Sequence, residues 1–308
     1  MNEFVQIKKV YSRTLDPVYI GAGGYRLGRV DNTIIREPAT DVPKIPGTSI
    51  AGVVREFYAV YLMEYDENCK SKTDNKEKRK CAEEKVKKIF GDEDNKGILR
   101  FYDGQIIFFP ISSLQGVVWI TTKELLEYWF GETVDKNGEK INIPNEVSSE
   151  AYTIKGINVN NSLNLSWLLL EIKNIEKGND IILPFQIGNW VKRIVLVSEK
   201  LFSQIVNDNL EVRTSVRIDS DTGAAAKGAL FTYEAIPRGT VIGFETGIDK
   251  MRNNATTNDI IDVVRNYFKL LGIGGMGTRG FGRLELASND NNEQFASQGG
   301  QIDDQPGL

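Results

Sequence analysis

Residues 258–287, NDIIDVVRNYFKLLGIGGMGTRGFGRLELA, decide the fold, because they predict a helix, a glycine-rich turn and a strand in that order. Apolar residues recur from Ile260 to Leu271 at the spacing that lines one face of a helix. The end of the segment alternates polar and apolar residues, as a half-buried strand does. Because consecutive elements usually lie side by side, the segment predicts the closing α–β unit of a domain.

The turn between this helix and strand is unusually rich in glycine, with six glycines among the eleven residues from Gly272 to Gly282. Successive N–H groups in such a loop form a concavity that binds anions, and Arg279 adds a guanidinium suited to phosphate. A flexible turn that only ends the helix is the alternative, and the glycine density with an embedded arginine favours phosphate binding. The order helix–loop–strand excludes a dinucleotide fingerprint, and no Gly-Lys-Ser/Thr follows as in a P-loop. The predicted phosphate-binding residues are Gly274, Gly275, Gly277, Thr278 and Arg279.

The rest of the chain supplies the other elements of an α+β domain. Residues 4–13 predict a strand, and residues 49–64 predict an amphipathic helix that Ser49 or Thr48 caps. Residues 98–110 predict a hairpin that turns near Asp103-Gly104, and 166–175 and 180–198 predict further strands. The order of elements favours a ferredoxin-like core (βαββαβ), the sheet of RRM-like RNA-recognition modules, with large insertions.

We predict one domain over residues 1–287, followed by a polar tail, 288–308, with the composition of a disordered segment. A highly charged insertion spans about 65–96. Two strand-like arms within 210–237 flank the polar tip SDTGAAAK, which predicts a projecting β-hairpin, called the thumb below.

The composition of the chain limits the kinds of binding and catalysis that it can support. The net charge is −4, so contact with RNA must come from local surfaces. The chain has no histidine, which removes the commonest general base near neutral pH and the commonest zinc ligand. Cys69 and Cys81 lie in a charged stretch, which argues against a disulfide and favours a reducing cytoplasm. No apolar run approaches the ~20 residues of a membrane span, and the first residues are not a secretory signal, so we expect a cytoplasmic protein without a membrane partner.

A Pro-Gly turn in residues 42–55, VPKIPGTSIAGVVR, delivers Ser49 to a helix N-terminus, where free N–H groups favour phosphate. Lys44 precedes the turn, and Arg55 lies nearly two turns into the helix. Simple helix capping and phosphate binding are equally supported at this site.

Arg26, Arg29 and Arg36 surround a single carboxylate, Asp31, in a loop that begins at Gly21. Such a cluster is usually a set of surface ion pairs. In an RNA-binding protein, the carboxylate could instead orient a ribose 2′-OH or hold Mg²⁺ at the scissile phosphate.

At these residues the chain resembles a known family, the RAMP superfamily of CRISPR RNA-guided effector complexes, and is similar to the backbone subunit of the type III-B Cmr complex. The general motifs are IPGTSIAGVVR (45–55) and GIGGMGTRGFGRLEL (272–286). The more specific ones are RLGRVDNTIIREP (26–38), FFPISSLQGVVWIT (108–121) and VRIDSDTGAAAKGALFTYEAIP (216–237). One position departs from the family pattern, because Ala51 stands where a lysine commonly precedes the glycine.

The resemblance implies that copies of the chain stack as a helical filament along a guide (CRISPR) RNA, which other subunits of the complex cap. Each thumb would enter the guide–target duplex, and Asp31 would carry metal-dependent endonucleolytic cleavage of single-stranded target RNA at regular intervals. The cofactor would be Mg²⁺ or another divalent cation, held in part by Asp31. Besides the glycine loop, the RNA-binding residues would be Lys44, Ser49, Arg55, Arg26, Arg213 and Arg217.

Three alternatives have different consequences. A non-catalytic, structural guide-RNA-binding subunit would use Asp31 only as an ion-pair partner. A guide-processing ribonuclease that uses histidine is excluded by composition. Outside RNA biology, a domain that binds a small phosphate ligand would lack the steep salt dependence of RNA binding.

Overall fold

The architecture is that of an α+β domain built on one large mixed sheet. The computed structural model describes residues 4–23, 30–131, 140–141, 143–144, 150–157, 161–175, 181–218, 221, 223, 225–251 and 260–288. The strands are β1 (Val5–Thr14), β2 (Lys44–Ile45), β3 (Leu99–Phe101), β4 (Gly104–Ser113), β5 (Gly116–Thr121), β6 (Ala151–Lys155), β7 (Ser162–Leu165), β8 (Leu168–Asn174), β9 (Ile194–Leu196), β10 (Glu211–Ile218), β11 (Ala225–Ala235), β12 (Val241–Asp249) and β13 (Leu284–Leu286). The helices are α1 (Gly47–Tyr65), α2 (Glu67–Lys70), α3 (Asn75–Phe90), α4 (Lys123–Phe130), α5 (Phe185–Trp190), α6 (Glu199–Asp208) and α7 (Ile260–Leu270).

The core of the sheet has the order β13-β1-β12-β4, with antiparallel neighbours throughout. In chain order these strands and two helices read β1, α1, β4, β12, α7 and β13, which is the βαββαβ sequence. The predicted ferredoxin-like core is therefore confirmed. The rings of Phe57 on α1 and Phe268 on α7 meet edge to face at 5.2 Å, which joins the two helices.

Alternation along β1 explains how both faces of the core sheet are covered. Val10 is buried in the cluster that includes α1 and α7. Tyr11 points to the other face, where its ring stacks on Phe130 and meets Trp129 of α4. The packing leaves no room for a side chain at Gly243 on β12, where an added Cβ would lie 2.8 Å from the Trp129 ring.

The segment between β4 and β12 holds most of the inserted structure. The large sheet continues beyond β4 through β5, β9, β6, β8 and β7. The thumb strands, β10 and β11, form a separate two-stranded antiparallel sheet with pairs from Glu211↔Ala235 to Val216↔Leu230. Strand β11 begins at Ala225, three residues earlier than the arm predicted from Gly228.

Two local predictions are wrong. Residues 98–110 do not form a hairpin, because β3 and β4 both pair with β12 and not with each other. The turn between them instead presents the Asp103 carboxylate to the N-terminus of α1, where it accepts a hydrogen bond from the Gly47 N–H at 2.8 Å. Within 180–198, residues 185–190 form α5, and only Ile194–Leu196 form a strand.

The charged insertion folds into α2 and α3, which pack on α1 around Ala59, Leu62, Ala82 and Val86. Sequence reasoning argued against a disulfide scaffold and did not predict that Cys69 and Cys81 form a disulfide, with a Cα–Cα distance of 5.4 Å. The physical reason is local: the Asp66 side chain caps α2, which turns the chain and brings Cys69 against α3. Among the described residues, no helix is both long enough and apolar enough to cross a membrane.

Phe108 on β4 provides a test of the core. Its side chain is 0% exposed and stacks on Phe130. We expect Phe108→Ala to lower the free energy of unfolding by about 3–5 kcal/mol, because it removes buried apolar area and leaves a cavity. The matched control is Phe4→Ala, since Phe4 is 54% exposed, and its effect should stay within about 0.5 kcal/mol. Urea unfolding followed by circular dichroism measures both, and equal losses would contradict this packing.

Candidate nucleic-acid interface

The Asp31 carboxylate lies at the base of the thumb. Its Oδ2 accepts hydrogen bonds from the Thr232 N–H and the Thr232 hydroxyl, both at 2.8 Å. The Asp31 N–H donates in return to Thr232 Oγ1 at 2.9 Å. These hydrogen bonds, led by the Thr232 N–H, lower the pKa of Asp31 below its usual range. The exposed carboxylate is therefore ionised at neutral pH.

The residues that follow Asp31 dock on the same thumb strand. Asn32 donates its N–H to the Thr232 carbonyl and accepts from the Glu234 N–H, each at 3.0 Å. Arg36 forms an ion pair with Glu234 at 2.7 Å, and both side chains are only 12% exposed. The Arg36 guanidinium also donates to Asn207 on α6 at 3.0 Å. The sequence grouped Arg36 with Asp31, whereas in the structure Arg36 forms its short ion pair with Glu234.

The glycine loop packs against the segment that leads from β1 towards Asp31. The Gly275 N–H donates to the Tyr19 carbonyl at 2.9 Å. An added Cβ at Gly274, where φ is +86°, would lie 2.4 Å from the same carbonyl, so only glycine fits. The Tyr19 ring meets Tyr233 of the thumb edge to face at 5.5 Å. Tyr19 therefore links the glycine loop, the exit of β1 and the base of the thumb.

Arginines join the glycine loop directly to the thumb. Arg279 donates to Ser215 Oγ on β10 at 3.4 Å. Arg213, also on β10, donates to the Gly280 carbonyl at 3.4 Å and lies over the Phe281 ring at 4.8 Å. Both arginines predicted to bind RNA at this end are thus held beside the loop.

The turn at Met276 has the geometry of an anion-binding nest. Met276 is left-handed (φ 66°, ψ 25°), and Gly277–Arg279 form an exposed 3-10 turn directly after it. Alternation of left- and right-handed residues points successive N–H groups to the same side. Among the backbone hydrogen bonds of the described residues, the N–H groups of Gly274, Met276 and Gly277 donate to none. Thr278 lies within this turn.

The other predicted phosphate site, at the start of α1, is arranged differently. The helix begins at Gly47 with Pro46 as its N-cap, so the predicted capping by Ser49 or Thr48 is wrong. Lys44 forms ion pairs with Glu37 and Asp103, at 2.9 and 2.7 Å. Arg55 donates to the Gly91 carbonyl at 3.3 Å and so joins α1 to the end of the charged insertion.

Lys44, Ser49 and Arg55 make structural contacts. None of the hydrogen bonds or ion pairs between described residues links them to Asp31 or the glycine loop. Ser49 donates its N–H to the Pro46 carbonyl at 2.9 Å, as the first turn of the helix requires. Arg26 and the side chain of Arg217 lie outside the described residues. RNA binding by all five remains a prediction.

The donor set at Asp31 suits a hard cation only with help from a substrate. Among the residues that the structure describes, Oδ1 of Asp31 takes part in no hydrogen bond or ion pair, and Asp31 belongs to no cluster of three or more potential metal ligands. Magnesium is commonly held by one or two carboxylates together with substrate phosphates and water. Asp31 thus fits a divalent cation that an RNA phosphate also binds.

Sequence reasoning missed Thr232, Tyr19 and Tyr233. Tyr233 and Thr232 lie in the TYEAIP motif, which was interpreted only as a thumb arm. Thr232 is brought to Asp31 by the pairing of Asn32 with Tyr233, a contact between residues 201 positions apart. A single sequence does not reveal such a contact.

Asp103 offers a test of the α1 site. Lys44, and then the Gly47 N–H, hold the pKa of Asp103 below its usual range. Its carboxylate therefore stabilises the fold above the unfolded pKa of about 3.9, and this contribution is lost as the pH falls through the lower folded pKa. Asp103→Asn keeps an oxygen acceptor for Gly47 and should be less stable than the parent at pH 7, with the difference shrinking below about pH 4. Urea unfolding at the two pH values, with Asp208→Asn as control, checks this; a constant difference would argue against the ion pair.

Comparisons with known proteins identify the family of the chain. A family model described as the RAMP superfamily matches residues 13–285. The CRISPR system Cmr endoribonuclease Cmr4 of Pyrococcus furiosus is 29% identical over 301 residues, which cover 91% of this chain and 95% of that protein.

Solved structures share the fold. A chain in the cryo-EM structure of the type III-B Cmr-beta bound to cognate target RNA gives a TM-score of 0.64 at 17% identity, with 92% of this chain and 97% of that chain covered. The crystal structure of oligomeric Cmr4 from Pyrococcus furiosus gives 0.58 at 24% identity, with 92% and 99% covered. Since the family model spans most of the chain, from the end of β1 into β13, and the described core has the expected order of strands, the chain belongs to the RAMP superfamily.

Proposed function

We propose that this protein is a repeated backbone subunit of a type III-B RNA-guided complex, in which it binds guide RNA and cleaves complementary target RNA at Asp31. The observation that carries the proposal is the position of Asp31: an exposed, ionised carboxylate at the base of a separate hairpin, which the glycine loop also contacts. The similarity to an endoribonuclease of a Cmr system supports the same function.

RNA binding would use the surface formed by the glycine loop and thumb base. The nest at Met276–Gly277 offers N–H groups to a phosphate, and Arg279 adds a charge beside it. The aromatic pair Tyr19–Tyr233 lies on the same surface and offers a π-face to a base. Because the chain is acidic as a whole, these local donors carry the attraction.

In target cleavage, a ribose 2′-OH would attack the adjacent phosphate and displace the 5′-oxygen of the next nucleotide, which would take a proton from water. The ionised Asp31 would orient the attacking hydroxyl or accept its proton. Mg²⁺ or another divalent cation, held by Asp31 and the scissile phosphate, would stabilise the negative charge that develops. Thr232 would hold Oδ2, which directs Oδ1 to the substrate. With no histidine in the chain, a carboxylate is the natural group for this role.

The proposed partners are guide RNA, single-stranded target RNA, further copies of this chain in a helical stack and other subunits of the complex. The similarity to oligomeric Cmr4 supports a stack. The tips of the β4–β5 and β7–β8 hairpins are joined by a hydrogen bond from the Ser166 N–H to the Ser112 carbonyl. These tips expose Leu114 and Trp167, and exposed apolar side chains of this kind are commonly buried by self-association. The cytoplasm, where guide and target RNA meet, is the proposed location.

A structural, non-catalytic subunit is the second candidate, and one observation favours it. All the described contacts of the Asp31 carboxylate are with Thr232, so the residue could serve only to dock its loop on the thumb. In that case Asp31 contributes to stability and leaves cleavage to another subunit.

Substitution of Asp31 decides between the two. We expect Asp31→Asn, in the complex assembled with guide RNA, to slow target cleavage about 100-fold or more, because the amide neither accepts a proton nor holds a cation well. Target affinity should remain unchanged. Gel-resolved cleavage and filter binding on the same preparations measure both, with the exposed Asp208→Asn as control. Cleavage at the parental rate would leave the structural subunit as the function.

Arg279→Ala tests the phosphate-binding surface. We expect the variant to bind RNA more weakly whatever the RNA sequence. The slope of log affinity against log salt concentration should be less steep by about 0.7–1, since one phosphate contact is lost. The charge-matched control is Lys200→Ala, because Lys200 lies exposed on α6. A salt titration of binding by the assembled complex measures the slopes. Equal slopes for Arg279→Ala and the parent would place the phosphate elsewhere.

A further inference from the structure

We infer that Thr232, on thumb strand β11, is a positioning residue for cleavage, which sets the orientation of the Asp31 carboxylate and so makes the thumb and the cleavage site one unit. The inference rests on the proposed function of Asp31. It adds a residue that acts through Asp31 without touching the reacting atoms.

The geometry is a closed set of three hydrogen bonds between two residues 201 positions apart. Thr232 donates twice to Oδ2 of Asp31, once from its N–H and once from its hydroxyl. The hydroxyl oxygen also accepts the Asp31 N–H, so it serves as both donor and acceptor. Two donors on one oxygen fix the rotation of the carboxylate, which directs Oδ1 away from them.

The surrounding backbone is held independently of the Thr232 side chain. Asn32 pairs with the backbone of β11 on both sides of Tyr233, and the Arg36–Glu234 ion pair closes the far end of the segment. Replacement of the hydroxyl should therefore leave the loop docked. Only the rotation and the electrostatic environment of the carboxylate would change.

Thr232→Val keeps the shape of the side chain and removes the hydroxyl, and Thr232→Ser keeps the hydroxyl. In the complex assembled with guide RNA, we expect the valine variant to cleave target about 10- to 100-fold more slowly at neutral pH, with unchanged target affinity. The serine variant should restore the rate.

Thr214→Val is the matched control, because exposed Thr214 pairs directly with Thr232 across the hairpin on β10. It should behave like the parent. A valine variant of Thr232 that cleaves at the parental rate, or a serine variant as slow as the valine one, would overturn the inference.

The failure of this inference is distinguishable from failure of the proposed function. Cleavage by Asp31→Asn at the parental rate removes the proposed function. Slow cleavage by Asp31→Asn together with normal cleavage by Thr232→Val removes only the role of Thr232. A double variant no slower than Asp31→Asn supports the inference, since Thr232 then acts only through Asp31.

Discussion

The pairing of β1 with β12 is the contact on which the rest of this structure depends. Nine residue pairs, from Val5↔Asp249 to Arg13↔Val241, join the start of the chain to a strand more than 200 residues later. The pairing continues outwards as the bridge between Val18 and Ile236, which fixes the base of the thumb beside the exit of β1. Since Asp31 follows that exit and Thr232 precedes β12, their meeting is a consequence of this register.

The glycines of the C-terminal loop complete the same arrangement by allowing backbones to touch. An added Cβ at Gly282 would lie 2.3 Å from the Ile273 carbonyl, and one at Gly274 would lie 2.4 Å from the Tyr19 carbonyl. These two glycines are therefore required by packing, whereas Gly277 lies in the exposed turn that presents N–H groups. Sequence reasoning assigned both Gly274 and Gly277 to phosphate binding, and the structure separates two physical reasons for the same residue type.

The elements with strong local patterns could be predicted, while those that depend on distant partners could not. Helix α7 and strand β1 follow from periodicity, and together with the order of elements they define the ferredoxin-like core. The strands β3 and β4 were predicted to form a hairpin. That prediction failed because both strands pair with β12, which lies about 140 residues away. Likewise, the donor at the start of α1 is satisfied by Asp103 and not by nearby Ser49.

The candidate site shows the same division. Motifs located Asp31, the thumb and the glycine loop, but not the Asp31–Thr232 hydrogen bonds that join the Asp31 loop to the thumb. The disulfide between Cys69 and Cys81 was missed because the cap of a four-residue helix decides where Cys69 lies.

The ion pair between Arg36 and Glu234 shows why the docking of the Asp31 segment is specific as well as stable. Both side chains are largely withdrawn from water, and the cost of removing two charges from water offsets much of their attraction. An apolar pair could give similar stability, but it would tolerate a shift of the loop along β11. The charged pair has one favourable register, which is the register that places Asp31 opposite Thr232. Under the proposed function, cleavage relies on the direction of one oxygen of the Asp31 carboxylate, and such a site needs that restriction more than it needs additional stability.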